Sequence, residues 1–166
     1  MLSFGRNGSG KSTLLKMILG EIKPMEGEIR KGPDLKISYI PQDVHFQTGS
    51  LRKFAKEYQL EESVLKAMLV KMGFSKEDLE ANMENLSEGQ RKKIFLAKSM
   101  TETANLYLWD EPFNYVDLLT RIQIEEMILQ QKPTMIFIEH DSTFREKIMT
   151  KQVSLRERRK DIKNRR

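Results

Sequence analysis

The chain has 166 residues, 39% hydrophobic and 32% charged, which suits one domain with a real core. No run approaches the roughly 18 to 20 unbroken apolar residues of a membrane helix, and early glycines break up any signal-peptide pattern. The absence of cysteine excludes disulfides, a thiol nucleophile and thiolate metal sites. The net charge of +5 sits in residues 156–166 (RERRKDIKNRR), which carry seven basic and two acidic side chains. The remainder is balanced, so a basic C-terminal tail is expected rather than a basic surface for nucleic acid.

In chain order, Met1-Leu2-Ser3-Phe4 is short for a strand. It leads at once into Gly5-Arg6-Asn7-Gly8-Ser9-Gly10-Lys11-Ser12, which fits G-x-x-x-x-G-K-[ST]. A helix is expected over 12–19, ended by Gly20 and Pro24, and a strand over 37–40. Residues 43–86 hold no convincing strand; helical spacing recurs at 51–58, 61–72 and 75–85. A helix over 88–100, a strand over 106–109, a helix over 117–130 stopped before Pro133, and a strand over 134–138 complete the pattern. Short apolar strands alternating with helices argue for an α/β fold, a mostly parallel sheet flanked by helices. A small helical subdomain, about 43–89, is expected as an insertion, giving a domain over 1–155 and a tail over 156–166.

The glycines let backbone N–H groups curl around phosphate oxygens, and the following helix adds its positive end. Gly5, Asn7, Gly8, Ser9, Gly10, Lys11, Ser12 and Thr13 are the expected nucleotide-binding residues. Lys11 can reach the β- and γ-phosphates and Ser12 can ligate Mg²⁺. Asn105-Leu106-Tyr107-Leu108-Trp109-Asp110-Glu111 supplies the second half. Asp110 emerges at the end of a buried strand, where open α/β sheets bind ligands, and one carboxylate there can hold a hydrated magnesium. Glu111, one residue on, is free to orient and polarise water. The pair points to a nucleoside triphosphatase.

Between these motifs lies Asn85-Leu86-Ser87-Glu88-Gly89-Gln90-Arg91-Lys92-Lys93. Alone, Ser87 with Gln90 reads as a capping box. In this setting the segment resembles the LSGGQ signature loop of ATP-binding cassette (ABC) proteins. Gln42 in YIPQD resembles the Q-loop glutamine, which contacts Mg²⁺ and the water. Asp117 resembles the D-loop aspartate, and His140 in FIEHD the switch histidine that contacts the γ-phosphate. His45 matches no family role. The resemblance implies a P-loop NTPase of the ABC type that uses ATP and Mg²⁺. Its expected catalytic residues are Glu111, His140 and Gln42, its metal residues Ser12, Gln42 and Asp110. Ser87, Gly89, Gln90 and Asp117 would serve the nucleotide as well.

After the Asp110 strand, transporter cassettes usually carry a sequence near DEPTSALD, whereas this chain has DEPFNYVD. Asn114 and the EHD ending resemble the C-terminal cassette of ABC-F proteins, above all those protecting ribosomes from lincosamides, streptogramins A and pleuromutilins. That resemblance implies a cytoplasmic protein with the ribosome or rRNA as partner and no direct membrane insertion. An ATPase subunit of an ABC transporter and an inactive orphan fragment are the alternatives. ABC cassettes work as head-to-tail pairs, so a second cassette is an expected partner, upstream in the same chain or in a dimer. The family also has about thirty residues before its phosphate loop, including an aromatic that stacks on adenine. Their absence before Gly5 leads us to expect an N-terminally truncated piece of a longer protein.

Overall fold

The computed structural model describes residues 2–4, 10–44, 48–153 and 155. Gly5, Asn7, Gly8 and Ser9 of the phosphate loop, together with His45 and the tail 156–166, lie outside the described residues. The strands are β1 (Leu2–Phe4), β2 (Ile37–Ile40), β3 (Leu106–Asp110), β4 (Met135–Ile138) and β5 (Lys151–Val153). They form one sheet in the order β2-β3-β4-β1-β5, with every pairing parallel. The helices are α1 (Lys11–Leu19), α2 (Leu51–Glu57), α3 (Glu62–Lys71), α4 (Lys76–Glu80), α5 (Glu88–Thr101), α6 (Leu118–Gln131) and α7 (Ser142–Ile148).

The central strands are apolar at consecutive positions because both faces of the sheet are covered. Leu108 and Ile138 point to one side, where they meet Leu15 of α1, with Ile37, Tyr39, Leu106 and Ile136 packed around them. Alternate residues Ile40, Trp109, Met135 and Phe137 point to the other side and join a larger cluster. That cluster includes Phe95 of α5, Ile124 and Ile128 of α6 and Phe144 of α7. It continues without a break into Leu51, Phe54, Leu65 and Leu69 of α2 and α3. Helix α5 is therefore buried nearly all round from Ile94 to Ser99, which explains why its sequence shows no clean polar face. A polar seam crosses this core: Trp109 Nε1 donates to Ser99 Oγ at 2.9 Å, and Ser38 Oγ lies 2.8 Å from the same atom.

Two expectations are corrected. The helix expected over 75–85 is broken into α4 and a short 3-10 turn, Met83–Asn85. The break occurs because Ala81 and Asn82 are extended; Asn82 bridges Ser50, and Met83 N donates to Gly49 O at 2.8 Å. Strand β5 was not expected, since Lys151 and Gln152 are exposed and polar; pairing with β1 makes it a strand.

Candidate active site

Strand β4 separates β1 from β3, so the chain leaves three neighbouring strands at one end of the sheet. There the start of α1, the Asp110-Glu111 step and the Glu139-His140 step come together, in the crevice beyond the strand ends. Gly10 holds the turn into α1 with φ 80°, a left-handed conformation that suits glycine. Lys11 is buried, and its Nζ has no hydrogen-bond partner among the described residues. The same holds for Oδ1 of Asp110, which is 1% exposed. Burial raises the Asp110 pKa; a hydrogen bond with Ser12 opposes this, Glu111 adds to it, and Lys92 and Lys11 pull it back. A buried ammonium and a buried carboxylate oxygen without hydrogen-bond partners among the described residues suit a bound anion and cation, because such groups are costly to leave unsatisfied. Ser12, Gln42 and Asp110 line one cavity of 660 Å³. They offer the oxygen donors that a hard divalent cation such as Mg²⁺ prefers. Thr13, next along α1, is exposed.

Glu111 has φ 48°, a left-handed backbone unusual for a residue with a side chain. Its N–H donates to Ile138 O at 2.9 Å, which holds the turn against β4. Three side chains converge on its carboxylate. Oε1 lies 3.1 Å from His140 Nε2, while Oε2 accepts from Gln42 Nε2 at 3.1 Å and from Asn114 Nδ2 at 2.7 Å. The structure thus brings together Gln42, Glu111 and His140, which come from three separate parts of the sequence. It adds Asn114, which sequence reasoning used only as a family mark.

Two further residues were missed. Lys92 of α5 is 2% exposed and donates to Pro41 O at 2.8 Å and Gln42 O at 3.0 Å. Burial pushes its pKa down to about 8 against the pull of Asp110, Glu111, Glu139 and Asp43. Its place three and four residues before the buried Phe95 and Leu96 put it on the inward face of the helix, a signal legible in the sequence. Glu139 is also buried; its Oε1 accepts from the backbone N–H of His140 at 2.7 Å and of Asp141 at 3.2 Å. It pins the approach to His140.

Ser87 caps α5 as expected. Gln90 N donates to Ser87 Oγ at 3.2 Å, Ser87 N donates to Gln90 Oε1 at 2.9 Å, and Gln90 Nε2 donates to Asp78 Oδ1 at 2.7 Å. Gly89 lies so close to the next loop that a Cβ there would sit 2.4 Å from Tyr115 O. Asp117 caps α6, with Thr120 N donating to Oδ1 at 3.0 Å and Lys93 Nζ 2.6 Å from Oδ2. Burial acts against the Asp117 carboxylate, yet the hydrogen bonds from Lys93 and Thr120 hold its pKa at about 2. Among the described residues no hydrogen bond joins Ser87, Gly89 or Gln90 to Lys11, Ser12 or Asp110. A 340 Å³ groove lined by Gln42, Glu88, Lys92, Asn114 and Tyr115 runs between the start of α5 and the loop that follows Glu111.

The archaeal ribosome recycling factor aABCE1, solved with the ribosomal stalk protein aP1, shares this fold. Its TM-score is 0.73 at 22% identity, over 92% of this chain and 31% of that one. ABC transporter F family member 2 of Arabidopsis thaliana is 31% identical over 159 residues, 92% of this chain and 24% of that protein. Zinc import ATP-binding protein ZnuC of Buchnera aphidicola subsp. Schizaphis graminum (strain Sg) is 31% identical over 147 residues, 84% of this chain and 62% of that protein. The chain spans about a quarter of the length of several curated relatives. No described helix is long and apolar enough to cross a membrane. The family described as ABC transporter matches residues 2–114, more than half of the sequence, and the chain belongs to that family as an ATP-binding domain.

Proposed function

We propose that this chain binds and hydrolyses ATP as an ABC-F type cassette acting on the ribosome. The observation that carries the reading is the convergence of Gln42, His140 and Asn114 on the Glu111 carboxylate. Residues 1–155 would form the cassette, with 43–89 as its helical subdomain. Gly5 to Thr13 cradle the triphosphate, Lys11 balances its charge, and His140 contacts the γ-phosphate. Glu111 orients a water and accepts its proton as the new O–P bond forms and the bond to the ADP oxygen breaks. Ser12, Asp110 and Gln42 would hold Mg²⁺, which neutralises phosphate charge when bound. Ser87, Gly89 and Gln90 close over nucleotide held by a second cassette, in the same chain or another, and Asp117 lies at that junction.

The ribosomal part rests on DEPFNYVD, where Asn114 stands at the ABC-F position and touches Glu111. The likeness to an F family member supports it as well. In the whole protein this activity would be cytoplasmic and would protect ribosomes from lincosamide, streptogramin A and pleuromutilin antibiotics. The likeness to ZnuC supports a second reading, an ATPase subunit docked on a membrane permease. One experiment separates the two. With a second cassette present, Glu111→Gln is expected to slow hydrolysis by about 10²-fold or more and to keep the assembly on ribosomes with ATP. Sedimentation free of ribosomes, with recovery in membranes, would replace the ribosomal reading by the transporter one.

A further inference from the structure

Lys92 is a buried cation with no carboxylate among its hydrogen-bond partners in the described residues. Its ammonium donates to two consecutive backbone carbonyls, Pro41 O at 2.8 Å and Gln42 O at 3.0 Å. These carbonyls follow directly on β2, where the chain has left the sheet and has no ladder to hold it. From that point the Gln42 side chain, itself exposed, reaches Glu111 Oε2 at 3.1 Å. The adjacent residues of α5 are tied elsewhere: Arg91 Nη1 donates to Leu86 O at 2.6 Å, and Lys93 Nζ lies 2.6 Å from Asp117 Oδ2. The first turns of α5 thus hold the Gln42 loop with one lysine and the Asp117 loop with the next.

We propose that Lys92 is a positioning residue that fixes the backbone of Gln42, and through its side chain the carboxylate of Glu111, to the helix that begins at Ser87. The proposal rests on the reading of Glu111 as the residue that orients water. An ammonium suits the task because it presents several donors from one compact head, so one side chain can satisfy two successive carbonyls. The consequence is mechanical. A shift of the Ser87–Gly89 end of α5, where a second cassette would press, is passed to Gln42 by a buried link rather than by an exposed contact. Gln42 then changes its hold on Glu111.

The test uses the ¹⁵N-labelled chain, with the Gln42 side-chain amide assigned by its loss in Gln42→Ala. In Lys92→Met the Gln42 amide signals are expected to move to the positions they take in Glu111→Ala, and in Lys92→Arg to return toward wild type. The Trp109 indole signal, hydrogen-bonded to Ser99 on the same helix, reports whether the fold survives. Should Lys92→Met fail to fold, Lys92→Leu, which likewise removes the donors, is read in the same way. Gln42 signals unmoved in a folded variant overturn the proposal. So does a general shift of all core signals that Lys92→Arg does not reverse, since that marks a packing role only. In the assembled pair of cassettes, kcat is expected to fall about tenfold with KM for ATP nearly constant, the pattern of misplaced machinery. A rise in KM at constant kcat contradicts it. The amide measurement needs no nucleotide. An absence of any spectral change on adding Mg²⁺ and ATP to the wild type would instead remove the ATP reading, and the proposal with it.

Discussion

Asp117 shows how one side chain can serve two purposes in this protein. Its carboxylate caps α6 through Thr120 N and also meets Lys93 of α5. A folded-state pKa of about 2, below the ordinary 3.8, means that its contribution is complete above about pH 4 and is lost as pH falls through about 2. Asp117→Asn keeps a good cap while removing the ion pair. Because the side chain is 49% exposed, solvent screening limits the expected loss to about 1 kcal/mol at neutral pH. Urea unfolding of both proteins is expected to show that gap near neutrality and to show it closing toward pH 2. A gap that stays constant would mean the charge contributes nothing. Glu111 illustrates the opposite case, a residue whose backbone is held in an unfavourable region. Its left-handed φ persists because the N–H bond to Ile138 and three side-chain donors over-determine it.

At the scale of elements, α5 is the member on which the others converge. Its capped start touches α4 through Gln90 and Asp78, its middle is packed against β2 and α3, and its Gly89 abuts the loop into α6. The absence of a side chain at Gly89 is a requirement of contact, not of backbone angle: the atom facing it is the Tyr115 carbonyl oxygen, which cannot swing away as a side-chain tip could. Gly89→Ala is therefore expected to cost about 1 to 3 kcal/mol by overpacking and to displace the Asn114–Asp117 turn. Chemical denaturation reads the first effect, and the Asn114 side-chain amide signal reads the second. A substitution without cost would show that the two loops separate freely at Gly89, leaving the Lys93–Asp117 pair to join α5 to the α6 cap.

For the whole molecule, the sheet order decides where chemistry can occur. With β4 between β1 and β3, the residues at the start of α1 and at the end of β3 face each other across the Glu139-His140 step. The large core continues from the sheet into α2 and α3, so among the described residues the helical segment has no separate apolar core of its own. Ligand binding is then expected to stabilise the domain as a unit. Mg²⁺ and ATP at about a hundred times the dissociation constant should raise the unfolding free energy by about 2.7 kcal/mol. Lys11→Ala should abolish the gain while leaving the nucleotide-free protein close to wild type, since among the described residues its amine has no hydrogen-bond partner. Thermal melts with and without nucleotide check both statements. Equal stabilisation of wild type and variant would place the nucleotide elsewhere.

Much of this protein was determined by its sequence alone. The central strands were legible because two covered faces demand apolar residues at consecutive positions, and the cap at Ser87 because its partner stands only three residues away. The place of Asp110 at the end of a buried strand was legible because the apolar run before it is local. The tertiary structure alone decided the rest. Strand β5 exists only through its pairing with β1, and the break at Ala81-Asn82 through contact with a loop some thirty residues upstream. The bonds from Gln42 and His140 to Glu111 span 69 and 29 residues, and that from Lys92 to Gln42 spans 50. Residue types and local periodicity carry no distances across such separations; the order of the strands and the packing of α5 against them supply those distances.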